Sequence, residues 1–219
     1  MKALVRRLYG AALCSALLLY ALAERGGRLL TARRPPSTAP QRVLVLRFGL
    51  LGDGTALLSP TLRQLRETFP GARVDVLATP LQRPLLEGLP EVDRVLTWSA
   101  GDLTEPRQAL RPAAWGAARA ALREIRRERY SLALSCYGRL ASAVALLSGA
   151  SRRIGYRDEA FPHSLTGTLP GKRYDRPGWH EADYGVALVD FAAGRQGHQG
   201  QPSGAVPPGP PLRLRVSPE

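Results

Sequence analysis

Apolar residues along the chain fall into short runs that alternate with longer segments of helical spacing. Most of the short runs are rich in aliphatic residues, as buried strands of a parallel sheet are. They are residues 42–47, 73–78, 92–98, 131–135 and 152–156. Segments with apolar residues three or four positions apart separate them and predict helices. These are residues 55–69, 80–89, 112–129 and 139–148. Alternating strands and helices predict an α/β fold, a Rossmann-like parallel sheet with helices on both faces.

The longest predicted helix, residues 112–129, has two contrasting faces. Its apolar face, which is expected to pack on the sheet, contains Trp115, Ala118, Leu122 and Ile125. Its basic face contains Arg119, Arg123, Arg126 and Arg127. Such a stripe is either a solvated helix face or a surface for polyanions, since guanidinium groups bind phosphate in a bidentate manner.

An apolar segment near the N-terminus, residues 8–23, has basic residues on both sides. It is shorter than the roughly 20 residues that cross a bilayer. Three interpretations stay open: a short membrane anchor or interface-lying helix, a secretory signal cleaved after Ala21-Leu22-Ala23, and a peripheral core helix. The flanking arginines favour retention on the cytoplasmic side of a membrane.

Segments that contain proline and glycine divide the chain into four parts. Residues 1–30 form the anchor or signal-like helix, and residues 31–41 read as a Pro-containing linker. Residues 42–194 form the α/β domain, and residues 195–219 are a Pro/Gly-rich tail. The tail ends in a strand-like piece that could begin a second domain.

Composition and charge limit the classes of molecule that this protein is expected to bind. The 219 residues are 44 % hydrophobic, enough for a buried core, and carry a formal net charge of +13. The positive charge is almost all arginine, which fits both a GC-rich coding sequence and anionic partners. No aromatic–basic platform is present, which argues against a nucleic-acid partner. Two cysteines and three histidines show no metal-ligand spacing, so we predict neither a metal site nor a disulfide.

The most informative segment, residues 46–55, joins the first strand to the first helix and reads LRFGLLGDGT. Its glycine spacing is neither that of a dinucleotide fingerprint nor that of a P-loop. Asp53 stands near the start of the helix, where a carboxylate either caps the helix or serves in chemistry. Ligands bind at the carboxyl ends of parallel strands, which places residues 49–54, 78–82 and 136–139 on the functional rim.

Residues 42–80 resemble the opening of the glycosyltransferase family 9 heptosyltransferases. The shared pattern is a Leu-Gly-Asp loop followed by matches at the right intervals: Pro60, Leu65-Arg66, Phe69-Pro70 and Val74-Asp75. Later segments match as well, and these are residues 91–95, 130–139, Arg153-Ile154-Gly155 and His180-Glu181. The resemblance covers about residues 42–194. The chain departs from the family at Ser131 and Ser135, where Asp is usual, and at Gly54, where Val or Ile is usual.

The resemblance implies a GT-B enzyme in which two Rossmann-like domains face each other across a cleft. The N-terminal half would bind a lipopolysaccharide-core acceptor or a related anionic glycolipid, and the C-terminal half would bind ADP-heptose. Asp53 would be the general base of an inverting transfer. Gly52, Gly54, Gly138, Arg139, Arg119 and Arg123 are the expected acceptor contacts.

This chain would then be the N-terminal half of a GT-B fold, truncated and inactive alone, with the donor-binding domain missing. No cofactor is expected beyond the nucleotide-sugar donor, and the site of action would be the cytoplasmic face of a bacterial inner membrane. Export by a cleaved signal is the alternative location. The alternative function is a non-catalytic membrane-associated binding module for anionic glycolipid.

Overall fold

The computed structural model describes residues 2–30, 39–49, 56–161, 163–169, 176 and 178–195. Within these ranges, six strands form one parallel sheet. They are β1 (Arg42–Arg47), β2 (Arg73–Ala78), β3 (Arg94–Thr97), β4 (Leu132–Tyr137), β5 (Arg152–Tyr156) and β6 (Gly167–Leu169), in the order β3-β2-β1-β4-β5-β6. The predicted Rossmann-like α/β fold is confirmed.

The described helices lie before, between and after the strands. They are α1 (Lys2–Leu30), α2 (Ser59–Thr68), α3 (Arg83–Glu87), α4 (Pro106–Ala109), α5 (Pro112–Glu128), α6 (Gly138–Leu147) and α7 (Glu181–Ala192), with a 3-10 turn at Arg157–Glu159. Helices α2 to α5 each have proline in the first turn, where the missing N–H has no helical partner to lose. The four helices predicted between strands are confirmed as α2, α3, α5 and α6, with shifted ends.

Two hydrophobic layers cover the two faces of the sheet. Successive side chains of a strand point to opposite faces, so Val43 and Val45 of β1 pack in one layer with residues of α2 and α7. Leu44 and Leu46 pack in the other layer, with residues of α5 and α6. Strand β1 is therefore buried on both sides, which explains why its sequence is a nearly continuous apolar run.

The prediction that Trp115 belongs to the buried apolar face of α5 is wrong. Trp115 is 44 % exposed, and its indole N–H donates to the carbonyl oxygen of Ala109 at 2.7 Å. The buried positions of α5 are Ala114, Ala118, Ala121 and Ile125. Three of these side chains are single methyl groups, which lets the helix lie close to the sheet and leaves no room for an indole at the interface.

Helix α1 extends beyond the predicted apolar run. The segment Leu4–Gly26 is 23 residues long and by length and composition could cross a membrane. The apolar run 8–23 is thus part of a longer helical segment that begins at Leu4, and a membrane anchor stays one of its open interpretations. The helix also packs on the domain, with Leu17 and Ala21 buried against a cluster that includes Phe161 of the α6–β6 region.

Candidate functional site

The strand order creates a topological switch point between β1 and β4. The chain leaves β1 towards β2 and β3 on one side of the sheet and returns to β4 on the other side. In doubly wound folds, ligands bind in a crevice at the carboxyl edge beside such a switch point. The predicted residues Gly52, Asp53 and Gly54 belong to the segment after β1 and lie outside the described residues.

Gly49, which lies just before that segment, is hydrogen-bonded to the turn that follows β2. Gln82 is only 1 % exposed, and its amide nitrogen donates to the carbonyl oxygen of Gly49 at 3.2 Å. Its amide oxygen accepts from the backbone N–H and the hydroxyl of Thr79, at 3.0 and 3.1 Å. One buried amide thus holds Gly49, and with it the entrance of the Leu-Gly-Asp loop, at the carboxyl edge of the sheet.

A partly buried ion pair lies at the end of β1. Arg47 is 5 % exposed, and its Nη2 stands 3.1 Å from Oε1 of Glu181. Its guanidinium carbon lies 5.5 Å from the centre of the Tyr137 ring, a cation–π geometry. Glu181 opens α7, where the helix N-terminus favours a carboxylate. Arg47 was not among the predicted site residues, although a charged residue at the end of an apolar strand is a signal visible in the sequence.

The exposure of Tyr137 follows from an irregularity in strand pairing. Leu46 pairs with Ser135, but Arg47 pairs with Tyr137, so β4 carries Cys136 as an extra residue. Such bulges redirect the side chains that follow and are frequent near functional sites. Cys136 stays buried, whereas Tyr137 is 40 % exposed at the rim.

The predicted residues Gly138 and Arg139 lie at this rim, directly after β4. Gly138 has a φ of +81°, a backbone conformation that side chains disfavour, and its N–H donates to Glu159 at 3.2 Å. Arg139 is exposed, with its guanidinium carbon 5.3 Å from the centre of the Phe161 ring. These two residues are beside the switch point, as the location of a ligand site requires.

The predicted residue Arg123 lies towards the amino edge of the sheet, whereas Gly138 lies at the carboxyl edge. Arg123 lines a pocket with Arg94, the first residue of β3, and with Glu128, which follows it along α5 towards the amino edge. Arg119 is exposed one turn earlier on the same helix face. The fold therefore does not bring Arg123 together with Arg139, because α5 runs antiparallel to the strands and carries its basic stripe away from the rim.

An ionic cluster occupies the amino edge instead. Glu128 accepts from Arg42, Arg73 and Arg94. The hydroxyl of Tyr130 donates to the fully buried carboxylate of Asp75 at 2.6 Å. Burial, followed by this hydrogen bond, raises the pKa of Tyr130 well above its usual range. These pairs join the starts of three strands to the end of α5 and have an evident structural role.

The Arg-Ile-Gly motif is also structural. Arg153 is 1 % exposed and donates to the carbonyl oxygens of Ser164 and Ala150, both at 2.8 Å. A Cβ at Gly155 would stand 3.0 Å from the Cβ and the carbonyl oxygen of Ser135. Ser135, one of the departures from the family pattern, lies where β4 and β5 approach each other closely at Gly155.

Comparisons with known proteins agree with this architecture. No protein-family model matches the sequence, and no curated protein matches it either. Among solved structures, the glycosyl transferase family 9 protein from Veillonella parvula aligns with a TM-score of 0.57 and 19 % identity, over 72 % of this chain and 44 % of that one. The E. coli ADP-heptose lipopolysaccharide heptosyltransferase II aligns with a TM-score of 0.50 and 25 % identity, over 68 % and 40 %.

A third solved structure, the E. coli heptosyltransferase WaaC with ADP-2-deoxy-2-fluoro heptose, aligns with a TM-score of 0.57 and 15 % identity, over 73 % of this chain and 50 % of that one. The chain thus spans half or less of the length of these structures. The resemblance found in the sequence is confirmed in three dimensions. Over the aligned region, this chain has the fold of glycosyltransferase family 9 and heptosyltransferase structures.

Proposed function

We propose that this chain provides the acceptor-binding half of an inverting glycosyltransferase. The donor would be a nucleotide-sugar such as ADP-heptose, and the acceptor a lipopolysaccharide core or a related anionic glycolipid. One observation carries the proposal: the Leu-Gly-Asp loop follows β1 at the switch point of a sheet that has the heptosyltransferase fold, with Arg139 at the adjacent strand end. A donor-binding domain is the necessary partner.

Asp53 would act as the general base. Its carboxylate would take the proton from an acceptor hydroxyl while that oxygen bonds to the anomeric carbon of the donor sugar. The bond from that carbon to the nucleotide phosphate breaks on the opposite side, and the phosphate leaves with the electron pair. Attack from the opposite side inverts the anomeric centre, and a positioned base contributes roughly 10²- to 10⁴-fold in rate.

The surroundings of the loop suit this role. Gln82 holds Gly49, four residues before Asp53, so the loop starts from a defined point. Gly52 and Gly54, on either side of the carboxylate, would allow close approach of the two substrates. Arg47, the last residue of β1, is held in place by its ion pair with Glu181, so the strand end from which the loop departs is fixed.

Acceptor binding is assigned to the exposed side of the crevice. Arg139 offers a guanidinium group, which recognises phosphate and carboxylate in a bidentate manner. Its partner in the structure is an aromatic ring, so its hydrogen-bond donors face no carboxylate among the described contacts. Anionic glycolipids are presented at membranes, and this proposal locates the chain at the cytoplasmic face of a bacterial inner membrane.

The test measures binding and transfer separately. Binding of a lipopolysaccharide-core acceptor is measured with the full chain alone. Transfer from labelled ADP-heptose is measured after addition of the donor-binding half of a heptosyltransferase. We expect Asp53→Asn to lower transfer by roughly 10²- to 10⁴-fold with unchanged acceptor binding. Arg139→Ala should weaken acceptor binding about tenfold.

Glu67→Gln is the matched control, because Glu67 is an exposed carboxylate near the end of α2 that faces the amino edge. It should change neither measurement. Transfer by Asp53→Asn at the wild-type rate would refute the role of the base. Acceptor binding without any transfer by the supplemented wild-type chain would establish the non-catalytic binding module instead, and absence of both would refute the proposed function.

A further inference from the structure

Helix α1 is attached to the domain along one face. Its apolar contacts lie near the middle, where Leu17 and Ala21 pack against Leu146 and Phe161. Ala21 is fully buried and Leu17 is 5 % exposed. This face therefore behaves as part of the protein core, as the peripheral-helix interpretation requires.

Polar contacts at both ends secure the same face. Near the start of α1, Arg6 forms an ion pair with Glu105 at 2.9 Å, and the Tyr9 hydroxyl donates to the carbonyl oxygen of Leu103 at 2.6 Å. Near its end, Glu24 pairs with the buried Arg153 at 3.2 Å. The Arg153 side chain is 2 % exposed and that of Glu24 is 14 % exposed, so water does not compete freely for this pair.

The opposite face of α1 is apolar and open. Its large side chains are Leu4, Val5, Leu8, Leu19 and Leu22, which are between 50 % and 68 % exposed. Successive helical residues are about 100° apart, so these positions share one half of the helix surface. Other exposed residues of that half are small, and these include Ala11, Ala12, Ser15, Ala16 and Ala23.

Basic residues border this apolar face at each end. Arg7 and Arg25 are both exposed, and both lie at the edge of the apolar half of the helix. An apolar face with arginines at its margins matches a bilayer interface, where acyl chains cover the leucines and anionic headgroups meet the guanidinium groups. A second protein copy would need acidic groups at these margins, whereas the apolar half of the described helix has none.

We infer that α1 lies flat in the surface of an anionic phospholipid bilayer, with its leucine face in the acyl region and its other face still bound to the domain. The helix then neither crosses the membrane nor serves as a removable signal. This inference does not rest on the proposed sugar transfer, since it depends only on the two faces of α1.

A crossing orientation conflicts with the contacts of the docked face. Arg6 and Glu24 are 18 positions apart, which corresponds to about 27 Å along a helix and nearly the thickness of the hydrocarbon layer. Both residues contact the domain. A helix in crossing orientation would either carry the polar domain into the hydrocarbon or lose every one of these contacts and expose Arg153.

Vesicle binding tests the contribution of the exposed leucines. The full chain is sedimented with vesicles of phosphatidylcholine alone and of phosphatidylcholine with phosphatidylglycerol. We expect binding to the mixed vesicles and at least a tenfold loss in the double variant Leu8→Asp/Leu19→Asp, because each leucine loses its transfer into the acyl region. Leu81→Asp is the matched control, since Leu81 is also 68 % exposed but lies outside α1.

Depth measurements then separate flat from crossing orientations. A bimane probe is attached in turn to Leu4→Cys, Ser15→Cys and Leu22→Cys in a chain that carries Cys14→Ala. Lipids with nitroxides at different depths should quench all three probes at the same shallow level. A deep probe at position 15 between shallow probes at positions 4 and 22 would overturn the inference in favour of a crossing helix.

Three further results would also overturn it. One is an intact mass, for protein recovered from cells, that lacks residues 1–23, because this would identify a cleaved signal. Another is a lipid-independent dimer that Leu8→Asp/Leu19→Asp dissociates while the wild-type chain ignores anionic vesicles. The third is an equal loss of vesicle binding in the Leu81→Asp control, which would refute the assignment of the contact to α1.

Discussion

Replacement of Gly185 by alanine tests the packing that supports the rim. Gly185 lies in α7 and faces Thr61 of α2, and both residues are buried. An added Cβ would stand 2.0 Å from the Thr61 hydroxyl oxygen and 3.2 Å from its Cβ. The two helices cannot keep this spacing with a methyl group between them. The contact is important because α2 follows the Leu-Gly-Asp loop and α7 begins with Glu181.

The expected magnitude combines two opposing effects. Alanine is better than glycine within a helix by about 1 kcal/mol. Insertion of a methyl group into a close-packed interface costs about 1–3 kcal/mol, and a contact of 2.0 Å belongs to the upper part of that range. We therefore expect Gly185→Ala to lower the free energy of unfolding by about 1–2 kcal/mol.

Urea unfolding followed by circular dichroism measures this change. Gly116→Ala is the control, because a Cβ at Gly116 of α5 would meet no atom within 4 Å. It should stabilise the protein by up to about 1 kcal/mol. The double variant Thr61→Ala/Gly185→Ala should recover most of the loss relative to Thr61→Ala alone. A Gly185→Ala protein as stable as the wild type would refute the reasoning, since the close approach of α2 and α7 would then be false.

Three other substitutions test the buried polar contacts. Tyr130 has a pKa raised above its unfolded value of 10.0, so its stabilising effect is complete below pH 10 and is lost as the pH rises further. Tyr130→Phe should therefore make the fall of the unfolding free energy between pH 10 and about 11 less steep. An unchanged slope would contradict this. Glu24→Gln removes the carboxylate that pairs with the buried Arg153 and should cost about 3 kcal/mol in urea unfolding, whereas an unaltered midpoint would argue against the docking of α1. Glu181→Gln should cost about 2 kcal/mol because Arg47 stays buried, and thermal unfolding at the same pH provides the comparison.

Strand positions were predictable from local sequence where the pattern was strong. The limits of β1, β2 and β5 agree with the predicted ones, and for β1 and β2 the reason is a short aliphatic run between turn residues. The predicted end of β4 was too early, since the extra residue Cys136 continues the pairing to Tyr137. Strand β6 was not predicted, because three residues without an apolar pattern pair only through their position beside β5.

The candidate site was predictable only in part. Parallel strands imply a functional carboxyl edge, and this placed Gly138 and Arg139 correctly beside the switch point. The pairing of Arg47 with Glu181 joins positions 134 residues apart and depends on the tertiary fold. Helical spacing gave the basic stripe of α5 but not its position along the sheet, and the structure places Arg123 in a pocket with Arg94.

The attachment of α1 has a practical consequence for handling this protein. An apolar N-terminus is commonly trimmed to obtain soluble material, and here trimming would have the opposite effect. Without residues 1–30, the side chains of Leu146 and Phe161 would face water and Arg153 would lose its only acidic partner among the described contacts. Shortened proteins should therefore aggregate more readily, whereas a detergent or lipid nanodisc that shields the leucines would preserve the intact chain.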